Sequence, residues 1–285
     1  MERNQEQVKE IIQHWYRVLK IPEQYDNDFH AYLDSVTIQP DITAEVYEEK
    51  GGEENFLSCL YFCERLKEQY EEMGIDLKIL YDTLQELFLW TKSCSIQKGK
   101  LWLENLGWVK LHLTMKLFRL GRLNFCMGQE QNDLPQWNLP NGAPIIEVHI
   151  PRAQSLTQND CRKSFDQARE FFATYFPGFQ YRYFTCYSWL LDSKLKELLP
   201  VDSNIIRFQD MFEVLLETES QNNLYYVFGA GTTRENLVER ECNTSLAAKI
   251  KERVLDGEVF HQGYGILRKA TLERTFFNVP KRKVL

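Results

Sequence analysis

Glu147 and His149 stand two residues apart in Ile145 to Ile150, a run whose alternation and β-branched content predict a strand. Side chains two apart on a strand share a face, so a carboxylate and an imidazole are set side by side. That pairing suits general acid–base chemistry near neutral pH. His149 also closes the strand, and open α/β sheets bind ligands at the carboxyl ends of their strands. A hydrogen-bonded polar patch at a sheet edge would use the same two residues. Among five histidines, His14, His30 and His112 fall in or near helical stretches, and His261, on the last predicted strand, is a further acid–base candidate.

The loop Pro151-Arg152-Ala153-Gln154-Ser155-Leu156 follows His149 and opens a predicted helix. Free backbone N–H groups and the helix dipole favour an anion there, such as a pyrophosphate, with Arg152, Gln154 and Ser155 as its side-chain partners. The loop has no glycine to bring a phosphate close to the backbone, so an ordinary helix start explains it as well. Cys186 and Ser188 share one face of a predicted strand and are nucleophile candidates, although no Gly-x-Ser-x-Gly elbow surrounds them and a cysteine in an aromatic strand is commonly core. Arg207 lies in an apolar segment and is expected to need a partner, either an internal carboxylate or a ligand phosphate or carboxylate. Arg119 and Arg122 flank Gly121 at a predicted helix end, where the dipole accounts for them. Cys59 and Cys63 have helical i, i+4 spacing but no His or Cys pair at zinc-site distance, so burial is expected and no metal.

The elements that would position these residues fall into two halves. In the first, helices are expected over residues 4 to 19, 27 to 35 and 54 to 73, then from Asp76 until the pattern fades near Thr91 to Gly99. A further helix, Trp108 to Leu120, is expected to stop at Gly121, followed by a short strand from Arg122 to Met127. The polar stretch 128 to 142 marks a boundary, giving a mainly helical domain over 1–128 and an α/β domain over 129–285. In the second half, strand 145 to 150, a helix from Thr157 to Phe176 and strand 181 to 190 form a crossover, which implies parallel strands in one sheet. Helical turns at 202 to 210, a strand at 211 to 218, a segment at 224 to 228 that reads as a short helix although its aromatic residues fit a strand nearly as well, a helix at 243 to 255 and a strand at 258 to 268 follow.

Composition narrows the classes of function. The chain has 285 residues, 44% hydrophobic and 13% aromatic, enough apolar surface for a folded core throughout. A net charge of −7 argues against nucleic acid as a principal partner. The basic cluster Lys281, Arg282 and Lys283 reads as a solvated tail. No apolar stretch is long enough to span a membrane, the N-terminus lacks a signal-peptide pattern, and seven cysteines suggest no disulfide framework, which together point to the cytoplasm.

The segments LFRLGRLNF at 117 to 125, HIP at 149 to 151, SFDQAREFF at 164 to 172, CYSWLLD at 186 to 192 and SNIIRF at 203 to 208 carry a resemblance. Together they resemble a family of bacterial acyltransferase domain-containing proteins, with a helical N-acyltransferase N-terminal domain and a GNAT-like C-terminal domain. The resemblance runs along nearly the whole chain. It implies a GNAT-like mixed sheet flanked by helices, acyl-CoA or acetyl-CoA as co-substrate, and direct transfer of the acyl group to an amine acceptor. Glu147 or His149 would then take the proton from the amine. The alternative is a non-catalytic ligand-binding or sensor protein, because the glycine-containing phosphate loop usual in GNAT proteins is replaced here by PRAQSL.

Overall fold

The computed structural model describes residues 3–152 and 154–274, so Ala153 and the basic cluster at 281–283 lie outside the described residues. The division between two compact units falls between Leu120 and Gly121.

The first unit is helical. Its α1 (Gln5–Val18) begins at a capping box between Asn4 and Gln7 and buries Val8, Ile12, Trp15 and Tyr16. In α2 (Asp26–Ser35) the Phe29 ring stacks on Tyr16 at 3.8 Å between centroids. At the centre, α3 (Gly52–Met73) buries Phe56, Leu57, Leu60, Phe62, Cys63, Leu66 and Tyr70, and Gly74 ends it with φ of 68°, a left-handed cap that glycine adopts without strain. Asp76 caps α4 (Leu77–Lys98), which ends at Gly99, the far limit of the range expected from the pattern. The buried aromatic residues of these helices are therefore the unit's own core. The cysteines behave accordingly: the Cys63 thiol donates to the Cys59 carbonyl at 3.2 Å, and burial pushes both thiols well up.

The expected helix from Trp108 to Leu120 is shorter than its apolar pattern suggests. The helix, α5, covers only Leu106–Leu113, and Leu117–Leu120 is a strand, β1. All four β1 residues are buried, and a strand buried on both faces has no alternation to distinguish it from a buried helix turn. Gly121 is consequently a turn residue, with φ of 72°, and not a helix stop.

The second unit carries a mixed sheet. β2 (Leu123–Gln129) pairs antiparallel with β3 (Pro144–His149), Asn124 to Gln129 facing His149 to Pro144, and the turn residues Gly121 and Arg122 fall in the same unit. β3 leads through a loop into α6 (Gln158–Tyr175) and then to β4 (Tyr183–Ser188), parallel to β3 as a crossover requires. The short α7 (Leu195–Leu198) and α8 (Asn204–Gln209) precede β5 (Glu213–Glu219). α9 (Asn222–Phe228) and α10 (Ser245–Leu255) then lead to β6 (His261–Arg268), and α11 (Lys269–Arg274) follows. Within this unit the strands lie in the order β2-β3-β4-β6-β5, with β6 antiparallel to both of its neighbours.

The register gives the sheet two unlike faces. On the back, Phe125, Ile146, Val148, Phe184 and Cys186 are buried, and Phe165 of α6 meets Phe125 and Phe184 edge-on at 5.5 and 5.0 Å. α6 is fixed by Thr157, whose hydroxyl accepts from the Asp160 backbone N–H, and it buries Cys161, Phe165, Ala168 and Phe172 as its spacing predicts. The front face carries Cys126, Glu147, Thr185 and Tyr264. Its lower end is apolar: Ile145, Tyr183 and Ile266 pack with Leu139 from the excursion between β2 and β3.

Candidate functional site

Pairing across three strands sets the front face. Cys126 is opposite Glu147, Asn124 is opposite His149, and Glu147 is level with Thr185. Glu147 and His149 do share a face, with His149 Nε2 3.5 Å from Glu147 Oε2, and both side chains are partly exposed, at 40% and 30% respectively. Gly128 makes room for this arrangement. A Cβ built there would stand 2.4 Å from Glu147 Oε1, so any side chain at 128 would displace the carboxylate.

A second polar pair lies on the same face. The Tyr264 hydroxyl donates to Glu130, a carboxylate only 2% exposed. Glu130 Oε1 also accepts from the Gln131 and Asn132 backbone N–H groups and from Asn132 Nδ2, at 2.9–3.0 Å. Burial, followed by the hydrogen bond to Glu130, holds the Tyr264 phenol well above its ordinary pKa, so it stays protonated at neutral pH.

Beyond His149 the chain turns into the loop that opens α6. Arg122 is 7% exposed, and its guanidinium donates to the carbonyls of Ser155 at 2.8 Å and Gln154 at 2.9 Å. Its own N–H donates to Ser164 Oγ at 2.7 Å. A helix dipole does not explain this residue: it ties the loop to α6. Beside it is an open cleft of about 410 Å³, lined by Gly121, Arg122, Gln154, Ser155, Asp160, Lys163 and Gln167. Two cations and a helix N-terminus favour an anion in this cleft, and Asp160 opposes it.

Of the residues singled out from sequence, Glu147 and His149 come together, and Gln154 and Ser155 line the cleft, which neither of that pair lines. Arg152 is exposed and lies over the rings of Tyr225 and Tyr226 in α9, 4.8 Å from each centroid. Ser188 is on the opposite face from Glu147, and its hydroxyl accepts from the Leu190 N–H, starting the short turn Trp189–Leu191. Cys186 is buried on that back face, its thiol pushed up to about 12 by burial, so it is core. Arg207 is exposed in the last turn of α8, and its charge therefore needs no internal partner. His261 receives no part in the pair: its backbone N–H donates to Asp192, itself 1% exposed.

Three residues of this region escaped the sequence reading. Cys126 was legible only as an alternating position of a strand, since its register against β3 is a tertiary fact. Arg122 resembles a helix end in the sequence because the uniformly apolar β1 carries no strand alternation. Gly128 looked like a boundary residue.

Comparison with known proteins places this architecture. The family model described as the GNAT-like C-terminal domain matches residues 117–267, and that described as the N-acyltransferase N-terminal domain matches residues 2–115. No curated protein matches the chain. Among solved structures, an acyltransferase in complex with decanoyl-CoA and teicoplanin aligns with a TM-score of 0.71 at 22% identity, over 90% of this chain and 87% of that one. An acyltransferase mutant in complex with octanoyl-CoA aligns with a TM-score of 0.70, also at 22% identity, over 91% and 88% of the two chains. At this identity the likeness is one of fold. Among the described residues no helix is long and apolar enough to cross a membrane.

Proposed function

We propose, from the premise that this chain belongs to the GNAT-like C-terminal domain family, that it transfers an acyl group from acyl-CoA directly to an amine. The observation that carries this reading is the Glu147–His149 pair at the carboxyl end of β3, the strand whose following loop opens α6. The neighbours bound to octanoyl- and decanoyl-CoA support a medium-length acyl chain as donor. A small-molecule amine is the acceptor class.

In this reading Arg122, Lys163 and the residues around Gln154 and Ser155 hold the CoA phosphates. The amine nitrogen attacks the thioester carbonyl, forming the C–N bond, and the C–S bond breaks to release CoA thiolate. His149 takes the proton that the nitrogen loses, Glu147 stabilises the imidazolium across 3.5 Å, and the imidazolium returns that proton to the thiolate, which leaves as the thiol. Ser188 takes no part, because direct transfer needs no nucleophile on the enzyme and the hydroxyl lies on the other face.

Calorimetric titration with acetyl-, octanoyl- and decanoyl-CoA tests the donor site; no binding of any at millimolar concentration would sink the proposal. His149→Ala should slow amide formation about 100- to 10,000-fold with donor affinity retained. A second reading, a non-catalytic ligand-binding protein, is favoured by the glycine-free loop and by the engagement of its carbonyls at 154 and 155 by Arg122. Tight acyl-CoA binding without turnover of any amine would favour that reading.

A further inference from the structure

We propose that Cys126, Glu147 and His149 form a binding site for a zinc-class divalent cation, and that filling it silences the acid–base pair; the second half rests on the catalytic reading above. One ligand atom from each of the three residues lies within 4.8 Å of the other two. The backbone enforces this grouping. Cys126 is directly opposite Glu147 across an antiparallel pair, and His149 is two residues along on the same face.

The dimensions suit a small tetrahedral ion. With bonds of about 2.3 Å to sulfur and about 2.0–2.1 Å to nitrogen or oxygen, its ligand atoms come to rest about 3.5 Å apart. The imidazole and carboxylate already stand at 3.5 Å. The sulfur lies within 4.8 Å of both, and Glu147 and His149, each partly exposed, are the side chains with room to turn towards it. The absence of a side chain at Gly128 leaves space for the carboxylate on that side.

The ligand types discriminate between ions. A thiolate with an imidazole and a carboxylate suits zinc-class ions and disfavours magnesium and calcium, which take oxygen ligands. Three protein ligands also leave a fourth position for water. Cys126 is only 3% exposed at the floor of the group, so its sulfur is poorly placed to attack a bulky thioester, whereas an ion can reach it past the two half-buried ligands. On binding, the Cys126 thiol releases a proton and the metal–sulfur bond forms. The His149 lone pair is then engaged by the metal and cannot accept a proton from an amine.

The test uses the full chain carrying Cys242→Ser, because Cys242 is the one exposed cysteine among the described residues. Cobalt(II) is the probe. One equivalent should give a thiolate-to-cobalt charge-transfer band, displaced by Zn²⁺ and absent in Cys126→Ser. Removing an outer-sphere partner of a metal typically costs 10–100-fold in affinity, so replacing a ligand by Glu147→Gln or His149→Gln should weaken Zn²⁺ by about tenfold or more in calorimetry. Gly128→Ala should weaken it too, by displacing the carboxylate. No band, or a band that survives Cys126→Ser, overturns the site; if Cys126→Ser does not fold, unchanged Zn²⁺ affinity in His149→Gln overturns it instead. These readouts need no turnover, so they decide the metal site even if acyl transfer is never found. With activity in hand, stoichiometric Zn²⁺ should inhibit the parent chain and spare Cys126→Ser, and full activity of the zinc-loaded protein would overturn the inhibitory half.

Discussion

The two faces of one sheet divide the second unit into a region where only volume matters and a region where particular atoms matter. On the back of β2, β3 and β4, Phe125, Ile146, Val148 and Phe184 are each at most 2% exposed, and Phe125 and Phe184 pack edge-on against Phe165. One residue further along each strand, Cys126, Glu147 and Thr185 form the front, with Tyr264 from β6. The same backbone hydrogen bonds support both. The back face stabilises the unit by removing apolar surface from water, and that frees the front to keep partly exposed titratable groups that contribute little to stability.

The sharpest contrast is a pair of substitutions. Phe184→Ala should cost about 3–5 kcal/mol of stability through lost burial and the cavity left among Phe125, Phe165 and Tyr181. Glu147→Gln should stay within about 0.5 kcal/mol of the parent in urea unfolding. Similar losses for both would erase the distinction between the faces. The next largest effect is at the junction. Arg122→Ala removes two hydrogen bonds from a buried guanidinium to the 154 and 155 carbonyls, for which about 1.5–3 kcal/mol is expected. Hydrogen exchange should quicken at 154–157, and acyl-CoA affinity should fall. An unchanged loop would detach Arg122 from the cleft.

The division of labour was only partly visible in the amino-acid sequence. Helix α6 and strands β3, β4 and β6 were legible because their patterns are amphipathic or alternating and their ends carry Thr157, Pro177-Gly178 and glycines. The Glu147–His149 proximity followed from strand geometry alone. What could not be read was anything depending on register: Cys126 opposite Glu147, Tyr264 reaching Glu130 from 134 positions away, and Gly128 yielding space to a carboxylate. β1 was misread as helix for the opposite reason, since uniform burial removes periodicity. Arg207's exposure was not legible either, because apolar neighbours in sequence do not bury a residue that a helix turns outward.

The smallest effect probes whether the front face contains groups that are structural despite being polar. Tyr264→Phe leaves Glu130 with its three amide donors but removes the phenol, for an expected cost of about 1–2 kcal/mol near pH 8. The pH dependence carries the sign. Burial and Glu130 raise the phenol's pKa in the folded chain above the ordinary value of about 10. The unfolded chain therefore loses this proton first. The stabilisation it provides is fully present below about pH 10 and is lost as pH rises towards the raised folded value. Phenylalanine has no proton to lose, so the two chains should converge above pH 10, with slopes differing by up to about 1.4 kcal/mol per pH unit. The other buried tyrosines are common to both chains and cancel in the difference. Parallel curves from urea unfolding at pH 8 and in the alkaline range would mean that neither burial nor Glu130 raises the phenol's pKa in the folded chain. The front face would then be indifferent to Tyr264, as the back face is to everything but volume.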